Sequence, residues 1–243
     1  MTTPLRLLIH GASGRMGRAV ARLAAERDDL VLVASVARSP FGDAGGEGDG
    51  ASVRPPTFLP AASLADAPKF DVAIDFSLPE GFDAILALCA SRGAAFVSGT
   101  TGLDPSQRDA MDRAAARIPV LWASNFSLGI AILDELVERA AAALPGWDCD
   151  IVEQHHTRKR DAPSGTALSL GAAAERGGAQ PRYASLRAGD IVGEHTVQFA
   201  AAGERIELIH RAADRDIFAR GALHAAARLV GRAPGRYRLR DLL

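Results

Sequence analysis

Short apolar runs that alternate with helical segments are the strongest constraint on how this 243-residue chain folds. Five runs have the length and composition of buried parallel strands: residues 5–10, 30–37, 71–76, 94–97 and 120–123. Helical spacing of apolar residues follows three of them: segments 15–27, 79–91 and 105–117. This alternation is typical of βαβ units, so the sequence predicts an α/β fold with a doubly wound parallel sheet. Segment 39–60, rich in Gly, Pro, Asp and Ser, is expected to be a loop.

The pattern of elements changes after Asn125. From there the sequence predicts helices at 128–144, 164–175 and 217–230 and strands at 148–155, 195–200 and 206–210. The last two strands flank a short turn and predict an antiparallel hairpin. We therefore expect a second, α+β domain at 127–215, built on a mixed or antiparallel sheet. The first domain then comprises residues 1–126 plus 216–243, since the final helix is expected to return to it.

Composition excludes several classes of protein. Lys and Arg number 28 against 29 Asp and Glu, so the net charge of −1 gives no electrostatic basis for binding nucleic acid or an anionic membrane. The two cysteines, Cys89 and Cys149, lack the spacing of a zinc or redox motif. No apolar run approaches the roughly 18 residues of a membrane span, and residues 1–9 lack a signal-peptide pattern. We expect a soluble, cytoplasmic protein with neither nucleic acid nor membrane as a partner.

A glycine-rich turn joins the first predicted strand to the first predicted helix. Its sequence, GASGRMG at 11–17, places glycines where a chain must turn tightly and let a pyrophosphate approach the helix N-terminus. The position between strand and helix is the context that supports a dinucleotide site of the Rossmann type. A glycine-rich turn without a ligand is the alternative.

The end of the second strand bears on which nucleotide is bound. An acidic residue there would bind the ribose hydroxyls of NAD, whereas an arginine suits the 2′-phosphate of NADP. Here the strand ends Ala37-Arg38, and a guanidinium matches phosphate geometry. The sequence favours NADPH over NADH, the alternative being that Arg38 is a solvated surface residue.

Small polar loops follow the fourth and fifth strands. Residues 98–102 read SGTTG, and residues 124–126 read SNF. Ligands of open α/β sheets bind outside the carboxyl ends of the strands, so both loops are expected to line a nicotinamide pocket.

The stretch 153–166, EQHHTRKRDAPSGT, holds the densest group of reactive side chains. Pro163 precedes a helix start at 164–166, whose N–H groups and hydroxyls, beside Lys159, form a site for a carboxylate or phosphate. A histidine of the pair His155-His156 is placed to deliver a proton, although the surrounding cations favour its neutral form. The chain has only two lysines among 28 cations, which makes Lys159 a candidate for a position where a guanidinium would not serve.

Three other interpretations of this stretch stay open. In the first of them, one histidine of the pair is simply a packed residue, because neighbours on a strand point to opposite faces. A solvated basic loop is a second alternative, and a histidine-ligated metal a third, although the usual ligand spacing is lacking; we expect no metal. The remaining histidines lack comparable surroundings and are expected to be structural: His10, His195, His210 and His224.

Together these motifs resemble the dihydrodipicolinate reductase family. The residues that carry the resemblance are GxxGRMG, SGTTG, ASNFS, E-x-HH-x-x-K-x-DAPSGTA and GDIVGEH-x-V-x-F, and they extend over nearly the whole chain. The resemblance implies a dinucleotide-binding domain and a substrate-binding and oligomerisation domain, a homotetramer, and reduction of 4-hydroxy-tetrahydrodipicolinate, a small dicarboxylate, by NADPH or NADH in the diaminopimelate and lysine pathway.

The resemblance also implies roles for individual residues. His155 would be the catalytic acid/base, and Lys159 a second proton donor or electrostatic stabiliser. The substrate carboxylates would be held by His156, Ser164, Gly165, Thr166 and, with a weaker match, Arg215. The dinucleotide would be bound by Gly11, Ala12, Ser13, Gly14, Arg15, Met16, Gly99, Thr100, Thr101, Ala123, Ser124, Asn125 and Phe126, with Arg38 reading its 2′-phosphate.

This chain departs from the family pattern at two places, and two rival functions stay open. Many members have Glu-Arg where this chain has Ala37-Arg38, which counts against NADH, and segment 175–190 is shorter than in many members, which bears on contacts between subunits. One rival is an aspartate-semialdehyde or homoserine-type dehydrogenase. The former would need a nucleophilic cysteine, and Cys149 lacks an evident activating partner. A catalytically inactive, NADPH-sensing Rossmann protein would not need the HH…K group.

Overall fold

The computed structural model describes residues 3–38 and 57–243. In chain order the elements are β1 (Leu5–His10), α1 (Arg15–Ala24), β2 (Leu30–Ala37), β3 (Thr57–Pro60), β4 (Val72–Asp75), α2 (Pro79–Arg92), β5 (Ala95–Ser98), α3 (Pro105–Ala115), β6 (Pro119–Trp122), α4 (Leu128–Ala143), β7 (Asp148–His155), α5 (Gly165–Arg176), β8 (Pro181–Arg187), β9 (Gly193–Ala201), β10 (Glu204–Ala212), α6 (Asp216–Leu229) and β11 (Gly235–Tyr237). They form two compact units, the first comprising Met1–Phe126 with Phe218–Leu243 and the second Ser127–Ile217.

The first unit is built on a parallel sheet of seven strands in the order β11-β6-β5-β4-β1-β2-β3. Its central strands are buried because both faces are covered, as parallel sheets require. Helices α2 and α3 contribute Phe82, Ile85 and Met111 to a core that also contains Leu8 and Phe96. The predicted α/β fold with a doubly wound, Rossmann-type sheet is confirmed.

The order of the strands places a switch point between β1 and β4. From β1 the chain winds outward to β2 and β3, and from β4 it winds outward in the other direction to β5 and β6. Crevices at the carboxyl ends of the strands next to such a switch point are where open α/β sheets bind ligands. The loops after β1, β4 and β5, with Arg38 at the end of β2, therefore hold positions from which a nucleotide would be bound.

The second unit contains a four-stranded sheet in the order β10-β9-β7-β8. β7 is antiparallel to β9 but parallel to β8, so the sheet is mixed. Alternate residues of β7 and β9 are buried, and those of the apolar part, such as Ile151 and Val197, pack against α4 and α5. The same alternation places Glu153 and His155 on this helix-covered face, at the carboxyl end of β7.

Three strands were not expected from the sequence. Thr57–Pro60, inside the predicted loop, forms edge strand β3, while residues 39–56 of that loop lie outside the described residues. Gly235–Tyr237 adds β11 at the other edge of the same sheet, and Pro181–Arg187 adds β8 at an edge of the second. All three are short or polar edge strands that pair mainly through the backbone, which leaves little hydrophobic pattern in the sequence.

No helix among residues 3–38 and 57–243 combines the length and apolar character that a bilayer span requires. Helices α4 and α5 each begin at a serine side-chain cap. Ser127 accepts a hydrogen bond from Ile130 N at the start of α4, and Ser164 accepts one from Ala167 N at the start of α5.

Candidate active site

The turn from β1 to α1 requires glycine at two positions. Gly11 has a φ of +80°, and a Cβ there would lie 2.5 Å from the carbonyl oxygen of Phe76. A Cβ on Gly17 would overlap the carbonyl oxygen of Gly11. These glycines let the first turn of α1 approach the sheet closely, with its N–H groups directed at the strand ends.

Hydrogen bonds around this turn divide the predicted phosphate-binding residues into two groups. The N–H groups of Gly11 and Ala12 both donate to Val36 O, and that of Gly14 donates to Gly11 O, so all three serve the fold. α1 begins after Gly14 without a side-chain cap or an acidic residue in its first turn. The first-turn N–H groups, those of Arg15 and Met16 included, have no intrahelical acceptor and can bind an anion.

A pocket of about 260 Å³ lies at this end of the sheet. It brings together the predicted residues Gly11, Ser13, Gly14 and Arg38 with residues that the sequence analysis did not assign to a site: His10, Ala37, Ala61, Phe76, Ser77, Leu78, Glu80 and Gly81. Arg38 is exposed at the end of β2 and lines the pocket, as a residue that reads a nucleotide phosphate must.

The loops after β5 and β6 present some predicted residues and bury others. Thr100 is buried, and its carbonyl oxygen accepts a hydrogen bond of 2.8 Å from Trp122 Nε1. Phe126 is also buried and makes an edge-to-face contact of 5.4 Å with Phe76. Other predicted residues of these loops are exposed or half-buried: Gly99, Thr101, Ala123, Ser124 and Asn125.

In the second unit, His155 is held by a buried carboxylate. Its Nδ1 hydrogen-bonds Glu153 Oε2. The buried Glu153 also forms a bidentate ion pair with Arg187, whose Nη2 and Nη1 lie 2.7 and 3.0 Å from Oε1 and Oε2. An ionised carboxylate only accepts, so Nδ1 carries the hydrogen and Nε2 is the nitrogen left for chemistry. A Cβ on Gly193 would lie 3.0 Å from that Nε2, so glycine there keeps space beside it.

Burial and the neighbouring carboxylate shift the pKa of His155 in opposite directions. Burial lowers the pKa of His155, whereas the Glu153 carboxylate raises it, and the net shift is downward. Burial alone would raise the pKa of Glu153, but hydrogen bonds from Arg187, Ser185 and His155 lower it from 4.5 to about 2. Glu153 therefore stays ionised across the physiological range and is the local partner that a protonated His155 needs.

Glu153 also connects the histidine to the start of α5. Ser164 N donates to Glu153 Oε1 at 3.2 Å, and the buried Ser164 hydroxyl caps the helix while lying 3.2 Å from His195 Nε2. Gly165 is exposed and Thr166 half-buried in the first turn, where N–H groups face outward. The hydroxyl of Ser164 is thus engaged within the protein, and Gly165 and Thr166 form the outward-facing part of the first turn of α5.

His195 belongs to this group, although its sequence surroundings predict only a structural role. Its ring contacts that of His155 edge to face, with centroids 5.2 Å apart. Burial lowers the pKa of His195 to about 4, and the nearby His155 adds to the effect. His195 is therefore neutral near pH 7 and packs against His155 without competing for a proton.

His156 and Lys159, the other polar residues predicted for this site, each pair with one side chain. Arg215 donates to His156 Nε2 at 3.2 Å, and burial together with the Arg215 charge lowers the pKa of His156. Lys159 Nζ lies 2.9 Å from Asp161 Oδ2. Both pairs place positive charge on polar loops, which suits the carboxylates of a small dianion. Within the described residues, no group of three or more His, Cys, Asp or Glu side chains is arranged to hold a metal.

We expect Glu153 to make stability depend on acid pH. A carboxyl whose pKa is lowered on folding contributes stability above its unfolded pKa and loses that contribution as pH falls through its folded pKa. The free energy of unfolding of Glu153→Gln should therefore lie below wild type above pH 4.5, with the gap closing between pH 4.5 and about 2. Urea titrations at a series of pH values measure this gap. Glu204→Gln, at an exposed position, is the control, and a gap that does not change with pH would contradict the expectation.

Comparison with known proteins identifies the family. A model described as dihydrodipicolinate reductase, N-terminus, matches residues 5–126, and one described as dihydrodipicolinate reductase, C-terminus, matches residues 129–243. The chain belongs to the dihydrodipicolinate reductase family. The resemblance noted in the sequence is therefore confirmed.

Members of the dihydrodipicolinate reductase family match this chain over its full length. A 4-hydroxy-tetrahydrodipicolinate reductase of Stenotrophomonas maltophilia (strain K279a) is 68% identical over 99% of this chain and 98% of its own. One from Xanthomonas campestris pv. campestris (strain B100) is 64% identical over 100% of this chain and 99% of its own. Among solved structures, the dipicolinate-bound dihydrodipicolinate reductase from Paenisporosarcina sp. TG-14 shares the fold, with a TM-score of 0.80 and 23% identity over 99% and 100% of the two chains.

Proposed function

We propose that this chain reduces 4-hydroxy-tetrahydrodipicolinate to tetrahydrodipicolinate with NAD(P)H, in the diaminopimelate and lysine pathway. The full-length match to reductases of this name carries the proposal. The geometry supports it, since His155, the proposed proton donor, is held by Glu153 at the carboxyl end of β7. The closely approached glycines and the pocket beyond them suit a dinucleotide in the first unit.

The protein contributes binding, charge and a proton to this reaction. NAD(P)H supplies the hydride when bound. Gly165 and Thr166 at the start of α5, with His156 and Arg215, hold the two substrate carboxylates. Hydride addition builds negative charge on the ring, which Lys159 stabilises and a proton from His155 Nε2 neutralises. Overall, a hydride and a proton are added and the 4-hydroxyl group is lost as water.

A coupled assay tests the proposal directly. The product of dihydrodipicolinate synthase is supplied as substrate, and oxidation of NADPH is followed by its absorbance. We expect oxidation that depends on both the synthase product and this protein. Binding of NADPH without oxidation, across a panel of unsaturated imino acids, would instead favour the inactive nucleotide sensor.

We propose that NADPH binds more tightly than NADH because Arg38 pairs with the 2′-phosphate. Loss of a charge-assisted hydrogen bond of about 1.5–3 kcal/mol weakens binding roughly tenfold to a hundredfold. Arg38→Ala should lower NADPH affinity by that factor and leave NADH affinity nearly unchanged, as measured by calorimetry. Arg27→Ala is the matched control, because Arg27 pairs with Asp29 before β2, away from the pocket. An unchanged ratio of the two affinities in Arg38→Ala would exclude Arg38 as the discriminating residue.

We propose that the two units have different roles. Residues 1–126 plus 216–243 bind the dinucleotide, and residues 127–215 bind the substrate and associate into a homotetramer. We also propose that the enzyme works in the cytoplasm, where a biosynthetic reductase draws on the NAD(P)H pool.

An open sheet face in the second unit supports the tetramer. Leu186 and Ile209 pair in register with Gln154 and Thr196 on the side away from the helices, and are 51% and 42% exposed. Light scattering should give a mass about four times the 25.4 kDa chain. The double variant Leu186→Glu with Ile209→Glu should give smaller species. Leu168→Glu, at an exposed position of α5 rather than on the sheet face, should keep the wild-type mass. Unchanged mass in the double variant would place the interface elsewhere.

A further inference from the structure

One fully buried carboxylate lies at the switch point of the first unit and has no part in the reaction described above. Asp75, the last residue of β4, is 0% exposed and accepts four hydrogen bonds. Oδ1 lies 2.9 Å from His10 Nδ1 and 3.1 Å from Ser77 N. Oδ2 lies 2.8 Å from Ser98 Oγ and 2.7 Å from Thr100 Oγ1. The donors come from the ends of three neighbouring strands, β1, β4 and β5.

The four donors keep Asp75 ionised. Burial alone would raise its pKa, but hydrogen bonds from His10, Ser77 and Thr100 outweigh burial and lower the pKa. A buried charge is tolerated only when paired and hydrogen-bonded. Because the donors come from the ends of three strands, the carboxylate fixes the position of each strand end relative to the other two.

The loop after β5 is the one most tightly held. Ser98 Oγ accepts from Thr100 N at 3.2 Å while donating to Asp75, so the hydroxyl bridges the carboxylate and the loop backbone. Trp122 Nε1 holds the Thr100 carbonyl oxygen from the other side at 2.8 Å. The Thr100 side chain is therefore turned inward onto Asp75, which leaves exposed Thr101 and half-buried Gly99 as the presented part of the loop.

The end of β1 is fixed by the same carboxylate. Asp75 only accepts, so His10 donates through Nδ1 and its ring has one orientation. That ring lines the pocket beside Ser77 and Gly81, and a Cβ on Gly81 would lie 3.0 Å from His10 Cε1. His10 and Ser77 are thus wall residues of the pocket whose positions depend on Asp75.

We propose that Asp75 is a positioning residue for the nicotinamide nucleotide. It holds the wall at His10 and Ser77 and the loop at Gly99–Thr101 in the arrangement that binds the nucleotide, without touching it. The inference rests on the proposed function, since it requires that this pocket and this loop bind NAD(P)H. Preorganised loops reduce the ordering that a ligand must impose on binding.

Asp75→Asn tests this role. The amide keeps the shape but replaces one acceptor oxygen with an NH2 donor. That group either faces the N–H donors of His10 and Ser77, or it makes the Ser98 and Thr100 hydroxyls accept where they now donate. By calorimetry we expect the Kd for NADPH to rise about tenfold or more, with the KM for NADPH rising more than kcat falls. Dipicolinate should bind to the proposed substrate residues of the second unit, so its Kd in Asp75→Asn should stay within about twofold of the wild-type Kd.

Asp71→Asn is the matched control. Asp71 precedes the other end of β4 and pairs with Arg6 through side-chain hydrogen bonds of 3.0 and 2.5 Å. Asp71→Asn should be less stable than wild type, as measured by thermal unfolding, and should keep the wild-type affinity for NADPH. Equal weakening by both variants, or an unchanged Kd in Asp75→Asn, would overturn the positioning role.

Ser98→Ala keeps the inference testable if Asp75→Asn does not fold. It leaves the charge and removes only the bridge from Asp75 to Thr100 N, so the Kd for NADPH should rise about threefold to tenfold. An unchanged Kd would overturn the role. A wild-type protein that binds neither NADPH nor NADH would instead refute the proposed function, whereas normal binding by all variants would refute this inference alone.

Discussion

Replacing His155 by glutamine is expected to lower turnover by about 10²–10⁴-fold, the usual contribution of a general acid. Nδ1 of His155 is committed to Glu153, so Nε2 is its only nitrogen available to a substrate. Glutamine keeps a polar side chain of similar length but cannot deliver a proton near neutral pH. NADPH affinity should stay near wild type, because His155 lies in the second unit and the proposed nucleotide residues lie in the first.

The pH profile gives the sharper readout for His155. Burial sets its pKa below the ordinary value of 6.5 in the free protein, and the two carboxylates of the substrate would raise it again. Wild-type turnover should fall as pH rises through the pKa of the complex, and His155→Gln should lose that limb.

His156→Gln is the matched control for this variant. A carboxylate contact made by His156 and Arg215 exists in the ground state too, so KM should rise more than kcat falls. If His155→Gln kept both its turnover and its pH dependence, the proton would have to come from Lys159 or water.

The parts of the site that local sequence could predict are those built from neighbours along the chain. The glycine turn at 11–17 and the helix start after Pro163 are set by a few consecutive residues, and the structure forms both. The alternation rule predicted unequal surroundings for the two histidines, and His155 indeed faces the buried Glu153 whereas His156 meets Arg215.

The parts that escaped prediction depend on distant pairings. Glu153 stood two residues before His155 in the sequence, but its role depends on Arg187, which arrives on a polar edge strand with almost no hydrophobic pattern. The place of His10 beside the pocket escapes sequence-based prediction, because its partner, Asp75, is 65 residues away. A histidine's surroundings are set by sheet register, which a single sequence does not reveal. Histidines at strand ends beside a glycine turn are the signal that would have flagged His10.

Lys159→Arg is the second substitution for which we expect a large effect, a fall in turnover of about 10²-fold or more, the scale seen when one charge-stabilising donor is lost. Lys159 Nζ is a compact donor placed 2.9 Å from Asp161 and only partly exposed. A guanidinium keeps the charge, but it is planar and wider, and its favoured two-pronged pairing with Asp161 would turn it away from the ring that it must stabilise. The fall should therefore lie mainly in kcat, with NADPH affinity unchanged.

Arg160→Lys is the reverse substitution at an exposed neighbour and should leave turnover close to wild type. The pair separates the position of the ammonium from the loop's overall charge, because neither variant changes that charge. If Lys159→Arg kept wild-type turnover, charge alone would suffice at this position. The scarcity of lysine in an arginine-rich chain would then carry no chemical meaning there, and proton delivery and charge stabilisation would rest on His155 and the start of α5.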